Sequence, residues 1–299
     1  MFVNLRRPKL APNAEPATTV TFGLRLLFRM LFVRIGLGLL AGYLLVVLLA
    51  WRFQDRMAFP APRGRVPDPA RLGLPHGERI SLLMEDGTRL AGWYLAPTTG
   101  GRKAPGLLWF YGNGENIASI WPVLRDFRPP GAALLVVDYP GYGESEGRAT
   151  EAALYGAADV AYEALAARAE VDRERIYVYG RSLGSAVATY TAARHPVAGL
   201  ILESPFTSAR EMSRRHYAIL PPFILRLGLD NLSTIARVRC PVLVFHGTAD
   251  RIVPTAMGMQ LAAAAPGPVE LVLIQGSGHN ETYDVGDGEY RAKLAAFVR

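Results

Sequence analysis

The sequence predicts an α/β fold: a doubly wound, mostly parallel sheet with a short cap, preceded by one N-terminal transmembrane helix. Three observations carry this expectation. Short apolar runs of strand length alternate with helical patterns of roughly 10–20 residues, which implies right-handed βαβ units. The pentapeptide Gly180-Arg181-Ser182-Leu183-Gly184 stands between one such run and one such helix. An uncharged stretch, Ile35–Trp51, stands near the N-terminus.

The apolar stretch comes first along the chain. Its 17 residues are at the short end of the roughly 17–25 needed to span a bilayer. It is apolar all round, unlike a core helix with a polar face. No small-residue cleavage pattern follows it, unlike a signal peptide. It therefore reads as an uncleaved anchor over 35–51, with a basic leader over 1–34. Positive charge flanks it. Residues 1–65 carry a net +8, and the remainder carries −1, out of a formal +7 for the chain. A nucleic-acid-binding face would need that charge on the folded domain, so nucleic acid is not an expected partner. Within about 15 residues of the span the basic residues are nearly balanced, so the positive-inside comparison does not decide orientation. The short basic leader resembles a signal anchor and favours a folded domain on the periplasmic or extracellular side.

Residues 52–75 read as a proline-rich extended linker, with Pro60, Pro62, Pro67, Pro69 and Pro75. The domain proper is expected over 76–299. Arg79–Met84 and Arg89–Leu95 flank a turn and predict a hairpin. Gly106–Tyr111, Ala132–Val137, Ile176–Tyr179, Gly199–Leu202, Val242–Phe245 and Val269–Ile274 are nearly continuous apolar runs, as buried parallel strands are. Helical patterns fall over 115–126, 150–169, 183–194, 255–265 and 288–298. Residues 205–238 interrupt the alternation and read as a cap or lid over the C-terminal edge of the sheet. The single cysteine, Cys240, excludes an intrachain disulfide and reads as a small buried side chain.

Ser182 has the strand-to-helix context of a nucleophile elbow. A serine hydroxyl needs a base to take its proton. His279 and Asp250 follow the last two predicted strands, at the same end of the sheet as Ser182. They are the expected base and acid. Glu203 is the rival acid. His246 is expected to bond within the loop of Asp250, and His216 lies in the cap. His76 and His195 have linker or helix-end contexts. An oxyanion hole is expected from the backbone N–H groups of Leu183 and of Asn113, the latter flanked by Gly112 and Gly114.

With these residues in view, the chain resembles the α/β-hydrolase family, and within it the membrane-anchored BEM46-like branch that includes the hydrolase-domain-containing 13 and 17 types. The resemblance runs through Phe53-Gln54, Tyr111–Asn116, Asp138–Gly147, Gly180–Gly184, Glu203–Ser208, His246–Asp250 and Gly278–Asn280. Tyr111 stands where the family usually has His, and Pro140 where Arg is common. The resemblance implies a serine hydrolase acting on carboxylic esters or thioesters of small-molecule or acylated substrates, with no metal or organic cofactor. An aminopeptidase-like activity on the same triad, or a scaffold that kept the fold without catalysis, are the alternatives.

Overall fold

The computed structural model describes residues 17–65, 67–74, 76–98 and 103–299. Most of the leader, 1–16, and Val66 and Pro75 of the linker lie outside the described residues. The chain divides into two compact units at Arg52/Phe53.

The described residues of the first unit are helical. Helix α1, Ala17–Ala58, extends past the 35–51 stretch on both sides, and its regular geometry breaks at Phe53 (φ −115°, ψ 15°). The part from Arg25 to Ala58 is long and apolar enough to cross a membrane, by length and composition. Its leucines are exposed, Leu39 at 72% and Leu37 at 60%. An apolar surface of this kind is not offset by packing within the unit.

The second unit holds one sheet of eight strands. These are β1 (Gly77–Leu83), β2 (Arg89–Leu95), β3 (Ala104–Phe110), β4 (Ala133–Val137), β5 (Val171–Arg181), β6 (Gly199–Glu203), β7 (Val242–Gly247) and β8 (Val269–Ile274). Their spatial order is β1-β2-β4-β3-β5-β6-β7-β8. β1 and β2 form the antiparallel hairpin, and β2 meets β4 antiparallel; every later pairing is parallel. The central strands are apolar on both faces because helices cover both. Leu134, Leu135, Val178, Leu200, Leu202 and Val244 are fully buried, each worth roughly 1.5–3 kcal/mol of transfer free energy.

The helices are α2 (Ile117–Phe127), α3 (Glu151–Ala166), α4 (Leu183–Arg194), α5 (Ala209–His216), α6 (Asn231–Ile235), α7 (Thr255–Ala264) and α8 (Thr282–Phe297). Local chemistry starts several of them. Asn116 and Ser119 form a reciprocal capping box at α2, and Thr150 caps α3 by accepting from Ala153 N–H. Helix α8 begins six residues before its expected start, and its regularity breaks at Asp287 (φ 21°, ψ −97°). The flanking Gly286 and Gly288 weaken helical propensity there.

The stretch expected as an extended linker is instead laid on the domain. It stays helical to Ala58, Phe59 is buried, and Pro69–Leu72 forms a 3₁₀ turn capped by Asp68. Gly143 N–H donates to the Pro62 carbonyl at 2.8 Å, and Trp93 Nε1 to that of Pro67 at 2.9 Å. Proline removes donors but leaves carbonyls, and the neighbouring chain supplies the donors.

Residues 205–238 carry α5, a 3₁₀ turn (Pro222–Ile224) and α6 between β6 and β7. Buried Asn231 fixes the far end, donating to Ser185 Oγ and to the Phe206 carbonyl, each at 2.9 Å.

Candidate active site

Strand β5 runs into α4 through Ser182. That residue holds φ 49° and ψ −114°, a left-handed conformation that costs a non-glycine residue about 1–3 kcal/mol. Contacts on both sides hold the turn. Ser182 N–H donates to the Glu203 carbonyl at 2.9 Å, and Ser185 N–H to the Ser182 carbonyl at 2.9 Å. A Cβ on Gly184 would collide with the Phe110 carbonyl oxygen, and one on Gly180 with the Gly184 carbonyl oxygen. Only glycine permits this helix–strand approach. The first N–H groups of α4, beginning at Leu183, have no intrahelical acceptor and gather positive potential beside the Ser182 hydroxyl.

The loops after β7 and β8 bring Asp250 and His279 to the same place. His279 Nε2 lies 3.0 Å from Ser182 Oγ, and His279 Nδ1 lies 2.7 Å from Asp250 Oδ2. Asp250 Oδ1 accepts from Ile252 N–H at 2.9 Å and Val253 N–H at 2.8 Å. Burial by itself would raise the Asp250 pKa. Hydrogen bonds from His246, His279 and the Val253 N–H outweigh it and hold the carboxyl well below the usual range. An ionised carboxylate only accepts, so His279 Nδ1 carries a proton. In the neutral ring Nε2 is then the acceptor facing the serine hydroxyl.

The other candidates are placed elsewhere. His246 Nε2 lies 3.0 Å from the Val253 carbonyl and 3.5 Å from Asp250 Oδ2, so it braces the Asp250 loop. Glu203 is fully buried and accepts from Tyr290 OH at 2.8 Å and from the Tyr179 and Thr282 hydroxyls, away from His279. His195 pairs with Asp159 at 2.6 Å, and His216 bonds to the Ile252 carbonyl at 3.0 Å. His76 is exposed at the start of β1.

The loop after β3 lies beside the elbow. A Cβ on Gly112 would sit 3.6 Å from Ser182 Cβ. Gly112 N–H is occupied, donating to Glu115 Oε2 at 2.6 Å. The Asn113 side chain is used on both ends: Nδ2 donates to the Ala58 carbonyl at 2.7 Å and Oδ1 accepts from Tyr142 OH at 2.9 Å. The side chain therefore fixes the loop.

One support of the site is not visible in the sequence. Arg181, the variable position of the pentapeptide, is buried. It pairs with Glu115, lies 3.4 Å from Glu203 Oε1 through Nε, and donates to Asn280 Oδ1 at 2.6 Å. Burial pushes against its charge, but the Glu203 and Glu115 carboxylates more than offset this and raise its pKa. One guanidinium thus joins the elbow, the loop after β3, the end of β6 and the loop of His279. The available signal was a charge inside a strand-end motif with a carboxylate in a neighbouring glycine-rich loop.

Beneath the loop lies Tyr111. Its hydroxyl donates to Asp138 Oδ1 at 3.0 Å and accepts from Tyr139 N–H at 3.0 Å. Burial, opposed in part by hydrogen bonds from the Ile117 N–H and Tyr111, raises the Asp138 pKa to about 6. A raised carboxyl pKa means that the folded state holds the proton more tightly than the unfolded one. Stability from this group is therefore full below about 4 and is lost as pH rises to about 6, by about 3 kcal/mol in all. Urea unfolding across this range should show wild type losing that amount relative to Asp138→Asn, with no further divergence above it. Parallel curves for the two proteins would contradict the assignment.

Comparison with known proteins agrees with the architecture. Residues 105–226 match the family model described as alpha/beta hydrolase fold. An uncharacterized protein of Mycobacterium tuberculosis is 38% identical over 239 residues, covering 79% of this chain and 84% of that protein. The human alpha/beta hydrolase domain-containing protein 17B is 34% identical over 167 residues, and the match covers 54% of each chain. Among solved structures, an esterase of Pyrococcus furiosus superposes with a TM-score of 0.64 at 18% identity, covering 79% of this chain and 97% of that one. An acetyl xylan esterase from Paenibacillus does so at 0.61 and 20% identity, covering 74% and 83%. At these identities the structural likeness speaks for the fold, while the sequence relatives establish kinship. The chain belongs to the α/β-hydrolase family.

Proposed function

We propose that this chain is a membrane-anchored serine hydrolase that cleaves carboxylic esters or thioesters through an acyl-enzyme. The observation that carries the reading is the continuous line from Ser182 Oγ to His279 to Asp250, at 3.0 and 2.7 Å. Ser182 attacks the substrate carbonyl as His279 Nε2 takes its proton. Asp250 holds the ring in the required tautomer and offsets the charge that forms on it. The backbone N–H groups of Leu183 and Asn113 receive the oxyanion. His279 then protonates the leaving alcohol or thiol, and a water molecule repeats the cycle on the acyl-enzyme. None of these steps calls on a metal or an organic cofactor.

The 35–51 stretch within α1 serves as a single-pass anchor, with the basic leader on the inner side and the catalytic unit on the periplasmic or extracellular side. Support for this is the run of exposed leucines in a helix of bilayer length. Acylated substrates suit a hydrolase held beside a membrane.

The chemistry is tested by covalent trapping. A fluorophosphonate should add one equivalent to the full chain in detergent, and peptide mass mapping should place it on Ser182. An adduct elsewhere, or none, would overturn the reading.

A further inference from the structure

The cap carries the densest exposed apolar stretch among the described residues of the second unit. Tyr217 is 47% exposed, Ile219 72% and Phe223 86%. Ile252, 45% exposed, belongs to the segment whose carbonyl bonds His216 of α5. Pro221 and Pro222 start the 3₁₀ turn that presents Phe223. Exposed apolar side chains clustered in one segment mark an interaction surface.

Charge identifies that partner. Residues 205–228 hold Arg210, Arg214, Arg215 and Arg226 against one acid, Glu211, a net of +3, whereas the chain beyond residue 65 nets −1. All four arginines are exposed. Aromatic and aliphatic tips flanked along the chain by exposed arginines suit the headgroup boundary of an anionic bilayer, where the tips enter the acyl region and the guanidinium groups reach the phosphates.

A tether adds an independent argument. Buried Gln54 accepts from Arg226 N–H at 2.7 Å and donates to the Ile224 carbonyl at 3.3 Å. It thereby binds the backbone on both sides of Leu225. Gln54 is three residues past Trp51, the last residue of the apolar stretch. The chain length between them allows only about 10 Å.

We propose that the cap segment Tyr217–Arg226 docks on the anionic lipid surface of the membrane in which the chain is anchored. This rests on the anchoring read above and is independent of the chemistry assigned to Ser182. It adds a second membrane contact that sets the catalytic unit's orientation on the bilayer.

The test uses the full chain, one per nanodisc, in a Cys240→Ala background. An environment-sensitive dye is placed at Phe223→Cys, or at Leu83→Cys as an exposed control. Discs contain phosphatidylcholine with or without phosphatidylglycerol. In anionic discs the dye at 223 should shift to the blue and be quenched by a lipid-phase nitroxide, while the dye at 83 stays aqueous. Arg214→Gln with Arg215→Gln should lower the docked-to-undocked ratio by about thirtyfold, at ~1 kcal/mol for each basic side chain. An aqueous dye at 223 in anionic discs overturns docking even though the chain co-purifies with the discs. A shift that appears only when two chains share a disc overturns it in favour of a second copy. Failure to co-purify with discs overturns anchoring and docking together.

Discussion

Asp250→Asn should lower kcat/KM for a p-nitrophenyl ester by about 10⁴, and Ser182→Ala or His279→Ala by at least as much. The Asp250 change is the most informative because it alters so little else. The asparagine oxygen can still accept from Ile252 and Val253 N–H, so the loop keeps its bonds. At the Oδ2 position, however, an amide NH₂ would face His279 Nδ1, now 2.7 Å from a carboxylate oxygen. The ring would answer by moving its proton to Nε2. That nitrogen would then point an N–H at Ser182 Oγ and could not take its proton. A loss of 10⁴ corresponds to about 5.5 kcal/mol in the barrier, far above the cost of any packing change at this site. Circular dichroism should match wild type. Activity within tenfold of wild type would remove Asp250 from the mechanism.

That constellation is legible in the sequence for a topological reason. In a parallel sheet, every strand ends on the same side. Residues that follow β5, β7 and β8 therefore meet at one edge, although Ser182 and His279 are 97 positions apart. Apolar runs mark strand ends well, because a strand covered on both faces tolerates few polar residues. The same logic is silent on strand beginnings. β5 starts at Val171, five residues before its apolar run, and the register shifts between Ala104 and Gly106 of β3. There Glu174 N–H and Arg175 bond Asp172, an arrangement of charged residues that alternation does not detect. The strap at 59–72 is hidden for another cause. Its prolines announce extended backbone, but the groups that bind it lie far along the chain: the Gly143 N–H and Trp93 Nε1 donate to it, and the Ser145 carbonyl accepts from its Arg63. Arg181 is hidden most completely, since its burial depends on Glu115 and Glu203 together and neither is near it in sequence.

Arg181→Met should destabilise the fold by about 3–5 kcal/mol, the usual cost of leaving one member of a buried ion pair without its partner. For a unit of this size that is roughly a 10 °C fall in Tm. The stranded group is the Glu203 carboxylate, which is fully buried and would keep only the hydroxyls of Tyr179, Tyr290 and Thr282. Two further variants separate charge from packing. Arg181→Met combined with Glu203→Gln removes both charges and should recover a large part of the loss, because the penalty is the unpaired charge and not the missing contact. Arg181→Lys keeps the charge but cannot span Glu115, Glu203 and Asn280 as the planar fork does. It should restore stability more than activity. The kinetic reason lies in the same bonds: Glu115 also holds Gly112 N–H at 2.6 Å, and Asn280 follows His279. With Arg181→Lys the loop after β3 and the loop of His279 would lose their common brace, and kcat should fall while KM changes little. Urea unfolding and ester turnover on the same samples decide the matter. An Arg181→Met protein within 1 kcal/mol of wild type would remove the Arg181–Glu203 pair from the account of stability.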